Sequence, residues 1–250
     1  MKSCFLVTLI LICIVLVSCA RSPIEKLTRS AERGDADAQL SLGFTYDHGL
    51  GVLEDDTEAY KWYRMAAEQG DFHAQYCLGL MYFNGNGVPQ DYTEAAKWYT
   101  MSAEQGHSYA QYCLGLMYFN GNGVPQDDTE SAKWTRMAAE QGDANAQHSL
   151  GNKYHWGHGV PKDYTESAKW TRMAAEQGDA QSQYSLGFMS YYGYGVPKDT
   201  VIAYMWLNLA AAQSWSDAIS FRDALSKEMT KEQIAEAQKM SREWMAKHSE

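Results

Sequence analysis

The chain has 250 residues, 45% of them hydrophobic, and a formal net charge of −10. That hydrophobic share is enough to bury a core and excludes a disordered composition. The acidic balance, with no run of Lys or Arg, argues against nucleic acid, whose phosphates are met by clustered cations, and against a polybasic grip on anionic lipid.

The N-terminus is organised as a leader. Met1-Lys2-Ser3 carries one positive charge, and the apolar run Phe5–Val17 that follows is interrupted only by Thr8. The run is too short for a spanning helix, which needs about 20 residues, and it suits the core of a signal peptide. It ends in Leu16-Val17-Ser18-Cys19, which resembles the bacterial lipobox. The resemblance implies that residues 1–18 are removed and that Cys19 carries diacylglycerol and becomes the mature N-terminus. Ala20, where an inner-membrane retention signal has Asp, resembles an outer-membrane sorting signal. The expected location is the bacterial cell envelope, lipid-anchored, at the outer membrane.

Residues 19–33 form the lipidated N-terminus, a spacer and a cap. A helix is expected from Pro23–Ile24 to Ala31-Glu32-Arg33, with Leu27 and Ala31 matching the end of a repeat's second helix. From Gly34 the chain is periodic. A 36-residue unit occurs five times, over 34–69, 70–105, 106–141, 142–177 and 178–213. A fixed period of this size signals a stacked array.

The second unit, Gly70–Gln105, shows the logic. Gly70 ends the preceding helix in a left-handed position, and Asp71 caps the next. Ala74, Leu78 and Tyr82 share one helix face. Gly79 beside them costs up to about 1 kcal/mol in a helix, so its return in every unit implies close packing. Gly85-Asn86-Gly87-Val88-Pro89 is a turn whose proline blocks helix continuation. Asp91 then caps a second helix, with Glu94 as the expected reciprocal capping-box partner. Ala95, Trp98 and Met101 or Ser102 form its apolar face; Lys97 and Glu104 lie opposite. The pair recurs as Asp55/Glu58, Asp127/Glu130 and Asp163/Glu166, which reads as capping and not as acid–base chemistry.

After Gln213 the period stops. Residues 214–250 are expected to hold a short helix (Ala218, Phe221, Leu225) and a last helix through Ala237, Met240 and Trp244. The latter is opened by a Thr230/Gln233 capping box and a Met229–Ile234 staple. Such ends cover an array's open face. Within the array, Gln75–Asp91 equals Gln111–Asp127 and Thr129–Ala144 equals Thr165–Ala180, residue for residue.

Three features together resemble the Sel1-like repeat, a relative of the tetratricopeptide repeat. They are Ala74-Gln75 with Leu78-Gly79, the turn Gly85–Val88, and the second-helix pattern Ala59, Trp62, Ala66-Ala67 or Ser131, Trp134, Ala138-Ala139. The resemblance covers 34–213, with small departures at Leu53, Ser102 and Ser190. It implies an all-α fold, a right-handed α-solenoid of helix-turn-helix units. It also implies a concave face, lined largely by the first helices, that holds a protein or peptide. The candidate contacts on that face are Tyr76, Phe83 and Asn84; Tyr112, Phe119 and Asn120; His148, Asn152, His155 and Trp156; and Tyr184, Tyr191 and Tyr192, with Phe188 in the same rows. Aromatics of this kind supply contact area at low entropic cost. Asn152, His155 and Trp156 depart most from the repeat pattern, so function should lie where the copies differ.

Cys77 and Cys113 occupy one repeat position and are read as small buried residues, since corresponding sites sit about one helix-packing distance apart, beyond disulfide reach. His148, His155 and His158 lack the i, i+3 or i, i+4 spacing of a helical metal pair, so no metal is expected. No cofactor motif or catalytic arrangement is present in the sequence; the Gly-x-Gly turns join two helices and not a strand and a helix. The expectation is a non-enzymatic, lipid-anchored interaction scaffold. A cell-wall carbohydrate binder is the alternative. Weak β-lactam hydrolysis, linked to cysteine-rich relatives, comes last because their paired cysteines are missing.

Overall fold

A computed structural model describes residues 23–248, so the leader, the lipobox and Cys19 lie outside the described residues. Among the described residues there are thirteen α-helices and no strand. α1 (Pro23–Glu32) precedes five helix pairs: α2 (Ala36–Asp47) with α3 (Asp56–Glu68), α4 (Phe72–Asn84) with α5 (Tyr92–Glu104), α6 (Ser108–Asn120) with α7 (Asp128–Glu140), α8 (Ala144–Trp156) with α9 (Tyr164–Glu176), and α10 (Ala180–Tyr192) with α11 (Thr200–Ala212). α12 (Ser216–Leu225) and α13 (Lys231–Lys247) close the chain. The fold is an all-α solenoid of tandem helix pairs, and none of these helices is long and apolar enough to cross a membrane.

Local chemistry sets the helix ends. Asp71, Asp143 and Asp179 each accept a hydrogen bond from the backbone N–H three residues on, at 2.7 Å. His107 holds that position in the third pair and makes no capping bond. The second helices are capped by Asp55, Asp91, Asp127, Asp163 and Asp199. The reciprocal half of the expected capping box differs. The N–H of Asp91 donates to the Tyr82 carbonyl and that of Asp163 to the Tyr154 carbonyl, both at 2.9 Å. With the backbone donor already used, Glu94, Glu130 and Glu166 turn to Lys97, Lys133 and Lys169 at i, i+3. Among the described residues a full box forms before α13, where Thr230 and Gln233 exchange bonds of 2.9 and 3.2 Å.

Packing explains the mid-helix glycine. A Cβ on Gly43 or Gly79 would enter the ring of Tyr63 or Tyr99; on Gly115 or Gly151 it would meet the hydroxyl of Thr135 or Thr171; on Gly187 it would meet Leu207. The first helix thus carries a socket for the central residue of its partner, and closer approach offsets the propensity cost.

A glutamine ladder joins successive pairs. Gln147 and Gln183 are buried. Each donates Nε2 to a carbonyl that ends the preceding second helix, Ala139 or Ala175, at 3.2 Å. Each accepts at Oε1 from the glutamine closing its own unit, Gln177 at 2.8 Å or Gln213 at 3.0 Å. Gln39 does the same with Ala31 and Gln69. These helix-end carbonyls already accept from the N–H of Gly142, Gly178 or Gly34 just past each helix, and the glutamine amide fills the second lone pair.

The residues fall into two compact units, one ending at Ser102 and the other starting at Ala103. In the first, Ala59, Tyr63, Ala66, Ala67, Ala74, Leu78 and Met81 form a core, with Ala31, Ala38 and Leu42 under the cap helix. In the second, Ala138, Ala139, Ala146, Leu150 and Trp170 form one cluster. Leu186, Trp206, Leu207, Leu225 and Ala237 belong to another, against which Met229, Ile234 and Trp244 pack. Cys77 and Cys113 are partly buried and lie outside any disulfide among the described residues, and burial pushes Cys77 up to about 12, which leaves it protonated at neutral pH.

Candidate functional site

The second unit gathers aromatic side chains where its fourth and fifth helix pairs end their first helices. α8 ends in His155-Trp156 and α10 in Tyr191-Tyr192 because the glycines that follow, Gly157 and Gly193, take left-handed conformations and stop each helix. These last-turn side chains lie at the mouth of the turn. Asn152, His155 and Trp156 from α8 and Tyr184, Ser185, Phe188 and Met189 from α10 line a cavity of about 190 Å³.

The rings continue beside it. Tyr164 and Tyr194 stack with centroids 5.0 Å apart, and Tyr194 stacks on Tyr192 at 5.7 Å. Phe188 lies 4.5 Å from Tyr192, and Tyr191 meets Phe221 edge-on at 5.4 Å. His155 sets its edge to Trp156 at 4.6 Å and to Tyr164 at 5.1 Å. Despite this mutual packing, Trp156 is 65% exposed and Tyr192 50%. Large aromatics left half in water are the informative exception to burial.

The polar groups around the cavity are held neutral or engaged. His148 Nδ1 donates to Ser182 Oγ at 2.8 Å, and Asn152 Nδ2 donates to His148 Nε2 at 2.8 Å. Burial lowers the His148 pKa, opposed by Asp179 at 3.9 Å, and the neutral Nδ1–H form is the one that satisfies both bonds. His148 therefore ties α8 to α10 and orients Asn152. Burial, then the ammonium of Lys162, lowers the pKa of His155, whose Nδ1 is buried without a partner among the described residues. Tyr191 donates its hydroxyl to Glu228 at 3.0 Å. An apolar cleft with an oriented amide and a neutral imidazole is suited to holding a side chain.

The other candidate residues stand elsewhere. In the first unit Tyr76 lies 5.9 Å from the ring of Tyr99, Phe83 lies 5.2 Å from Tyr92, and Asn84 is exposed at the end of α4. In the second unit Tyr112 packs against the Ala139–Leu150 cluster, and burial raises its pKa. Phe119 lies under the Lys153 ammonium, 4.5 Å from the ring centre, and Asn120 is exposed. Of the residues anticipated, Asn152, His155, Trp156 and Tyr184 share the cavity, and Tyr191 and Tyr192 join the adjoining rings. Tyr164, Tyr194 and Phe221 were not anticipated. Tyr194 sits in a turn, Tyr164 opens a second helix, and Phe221 belongs to a terminal helix, so none lies on the first-helix rows. The run Tyr191-Tyr192-Gly193-Tyr194 was the available signal. Among the described residues no group of three or more His, Cys, Asp and Glu side chains is placed to hold a metal ion.

Comparison with known proteins bears on the whole array. The Sel1 repeat family matches residues 36–71, 72–107, 108–143, 144–179 and 180–215. Among solved structures, the chain is similar to c5321, a protective antigen present in uropathogenic Escherichia coli strains displaying an SLR fold. The identity is 37% and the TM-score 0.82, over 89% of this chain and 48% of that one. It is also similar to a Sel1 repeat protein from Oxalobacter formigenes, at 36% identity and a TM-score of 0.73, over 81% of this chain and 59% of that one. The chain thus spans about half the length of these relatives. A comparison with curated protein sequences finds no match.

Proposed function

The chain belongs to the Sel1 repeat family, whose members are generally protein-interaction scaffolds, and on that basis we propose that it docks a protein segment on the aromatic cluster of its fourth and fifth helix pairs, while Cys19 moors the array to the bacterial envelope. The observation that carries the docking reading is the cavity flanked by half-exposed rings, Trp156 and Tyr192 above all. Burying such rings on a partner is the usual source of hot-spot energy. In this reading the cluster belongs to the concave side of the array, and the glutamine ladder and glycine sockets hold the helix ends that present it. The mooring reading rests on the leader's charge, apolar core and Leu16–Cys19 box, taken in order.

A photo-cross-linking amino acid at position 156, expressed in the native envelope, tests the docking. The expected result is one defined protein adduct at 156 and none when the probe replaces Met137, which lies on the second helix of another pair. Peptidoglycan fragments trapped at 156 would instead favour the carbohydrate alternative. For the anchor, Cys19→Ser should release the protein from the membrane fraction; retention there removes the lipid-anchor reading.

A further inference from the structure

Position by position, the chain carries lysine where its own repeat pattern has a neutral or acidic residue. The turn residue preceding the second-helix cap is Glu54, Gln90 and Gln126 in the first three units, and Lys162 and Lys198 in the last two. Gln90 and Gln126 use their amides on the last-turn carbonyls of Phe83 and Phe119, at 2.8 and 3.0 Å. Lys162 and Lys198 do not. The ammonium of Lys162 lies 4.7 Å from the centre of the Tyr164 ring, and that of Lys198 lies 5.5 Å from Tyr191. Both tyrosines belong to the cluster beside the cavity.

These two cations also differ from the array's other surface lysines. Lys61, Lys97, Lys133 and Lys169 each pair with a glutamate three residues earlier. Among the described residues neither Lys162 nor Lys198 has a carboxylate within 4 Å. The nearby acidic groups are engaged: Asp163 and Asp199 cap helices, and Glu228 accepts from Tyr191. In a protein of net charge −10, this leaves two ammonium groups on the rim of the ring cluster without an ion-pair partner; Asp163, Asp199 and Glu228 keep their own charges, so the opposite charge sought is local to each ammonium. Such a rim selects partners of opposite charge and repels like ones.

We propose that the segment docked on this cluster is acidic: an aromatic or aliphatic side chain fills the cavity beside Trp156, and carboxylates close to it in sequence pair with Lys162 and Lys198. The ring faces beneath the ammonium groups add to their desolvated attraction without supplying a counter-charge. The proposal rests on the docking reading above, and it adds the charge of the partner.

The test pans a phage library of random dodecapeptides against the full-length chain in detergent, with the Trp156→Ala chain as the subtractive target. The expected clones carry Asp or Glu within about three residues of an aromatic or aliphatic residue, by the charge complementarity just described. Synthetic peptides of the winning sequences should lose about tenfold in affinity on the Lys162→Glu/Lys198→Glu chain, less on the Lys162→Gln/Lys198→Gln chain, and also weaken in high salt. Both variants change exposed side chains, and an unchanged thermal melt certifies them. If Trp156-dependent clones are neutral or basic and indifferent to both variants, the acidic partner is overturned while the docking cluster stands. If no clone depends on Trp156, the docking reading falls, and the acidic segment with it.

Discussion

The third and fourth second-helix segments, Thr129–Ala144 and Thr165–Ala180, are identical in sequence, yet they do not stand in identical surroundings. In the first copy Ser131 donates to the Gly115 carbonyl at 2.6 Å and accepts from the buried Lys153 ammonium at 2.7 Å. In the second copy the Ser167 hydroxyl is buried with no partner among the described residues. The residue corresponding to Lys153 in the next unit is Met189. Lys153 itself is 5% exposed, with the Ser131 hydroxyl as its hydrogen-bond partner, the Phe119 ring below it and the charge of Asp128 acting on it. A duplicated helix inherits its caps and sockets, but its polar groups depend on a neighbour that diverged separately. One junction is polar and strained by a buried cation; the other is apolar with an orphaned hydroxyl.

What the two junctions share should dominate their stability. Gly159 and Gly195 have positive φ values of +71° and +69°, and a Cβ on either would overlap a backbone carbonyl, that of Asp128 or Tyr164. Gly159→Ala and Gly195→Ala should each cost about 3 kcal/mol in urea unfolding, from overpacking added to left-handed strain. Gly157→Ala, whose nearest neighbour would be at 3.5 Å, should cost only about 1 kcal/mol. Equal costs for Gly157 and Gly159 would show that the pairs do not meet as tightly as drawn.

The serines should then separate the junctions. Ser131→Ala removes the one hydrogen bond that the buried Lys153 ammonium makes among the described residues and is expected to cost about 2 kcal/mol. Ser167→Ala removes a hydroxyl that has no partner and should stay within about 0.5 kcal/mol of the parent, or gain. Equal losses from the two would erase the contrast.

Lys153→Met, which copies the residue at Met117 and Met189, should stabilise the chain by about 1 kcal/mol at neutral pH, because it ends the desolvation of a charge. Burial holds the folded Lys153 pKa below its ordinary value, and Asp128 opposes this. Between that lowered value and the unfolded lysine value of about 10.4, the unfolded chain binds more protons, so this residue's contribution to stability improves as pH rises. The gain from Lys153→Met should therefore be full at neutral pH and shrink as pH approaches about 10.4. A pH-independent difference between the two melts would mean the ammonium carries no such cost.

The smallest effect belongs to the ring cluster. Trp156→Ala should change stability by no more than about 0.5 kcal/mol, since the side chain is 65% exposed. A large loss there would move the cluster from the binding surface to the structural core.

Much of the architecture was readable from single residues at fixed offsets. Asp71, Asp91 and Pro89 act within a few residues of themselves, so helix ends and turns follow from local chemistry. The period then multiplied one helix pair into five. The cluster was half readable. Asn152, His155 and Trp156 stood out as breaks in the pattern, but Tyr164 and Tyr194 joined them only across the turn. The reciprocal capping glutamates were misleading for a similar reason: the N–H they would have accepted from was taken by a carbonyl of the partner helix, which no local window contains.

The sequence by itself determined the helix pairs, their caps, the all-α repeat and the family, because these depend on short-range sterics and a 36-residue period. The tertiary structure decided why Gln147 recurs, which glycine is a socket and which a clamp, that Ser131 is satisfied and Ser167 is not, and which aromatic rings meet. Those are relations between helices stacked side by side, and stacking brings together groups about 20 to 36 residues apart whose pairing depends on the side chain at each partner position, which the period does not specify.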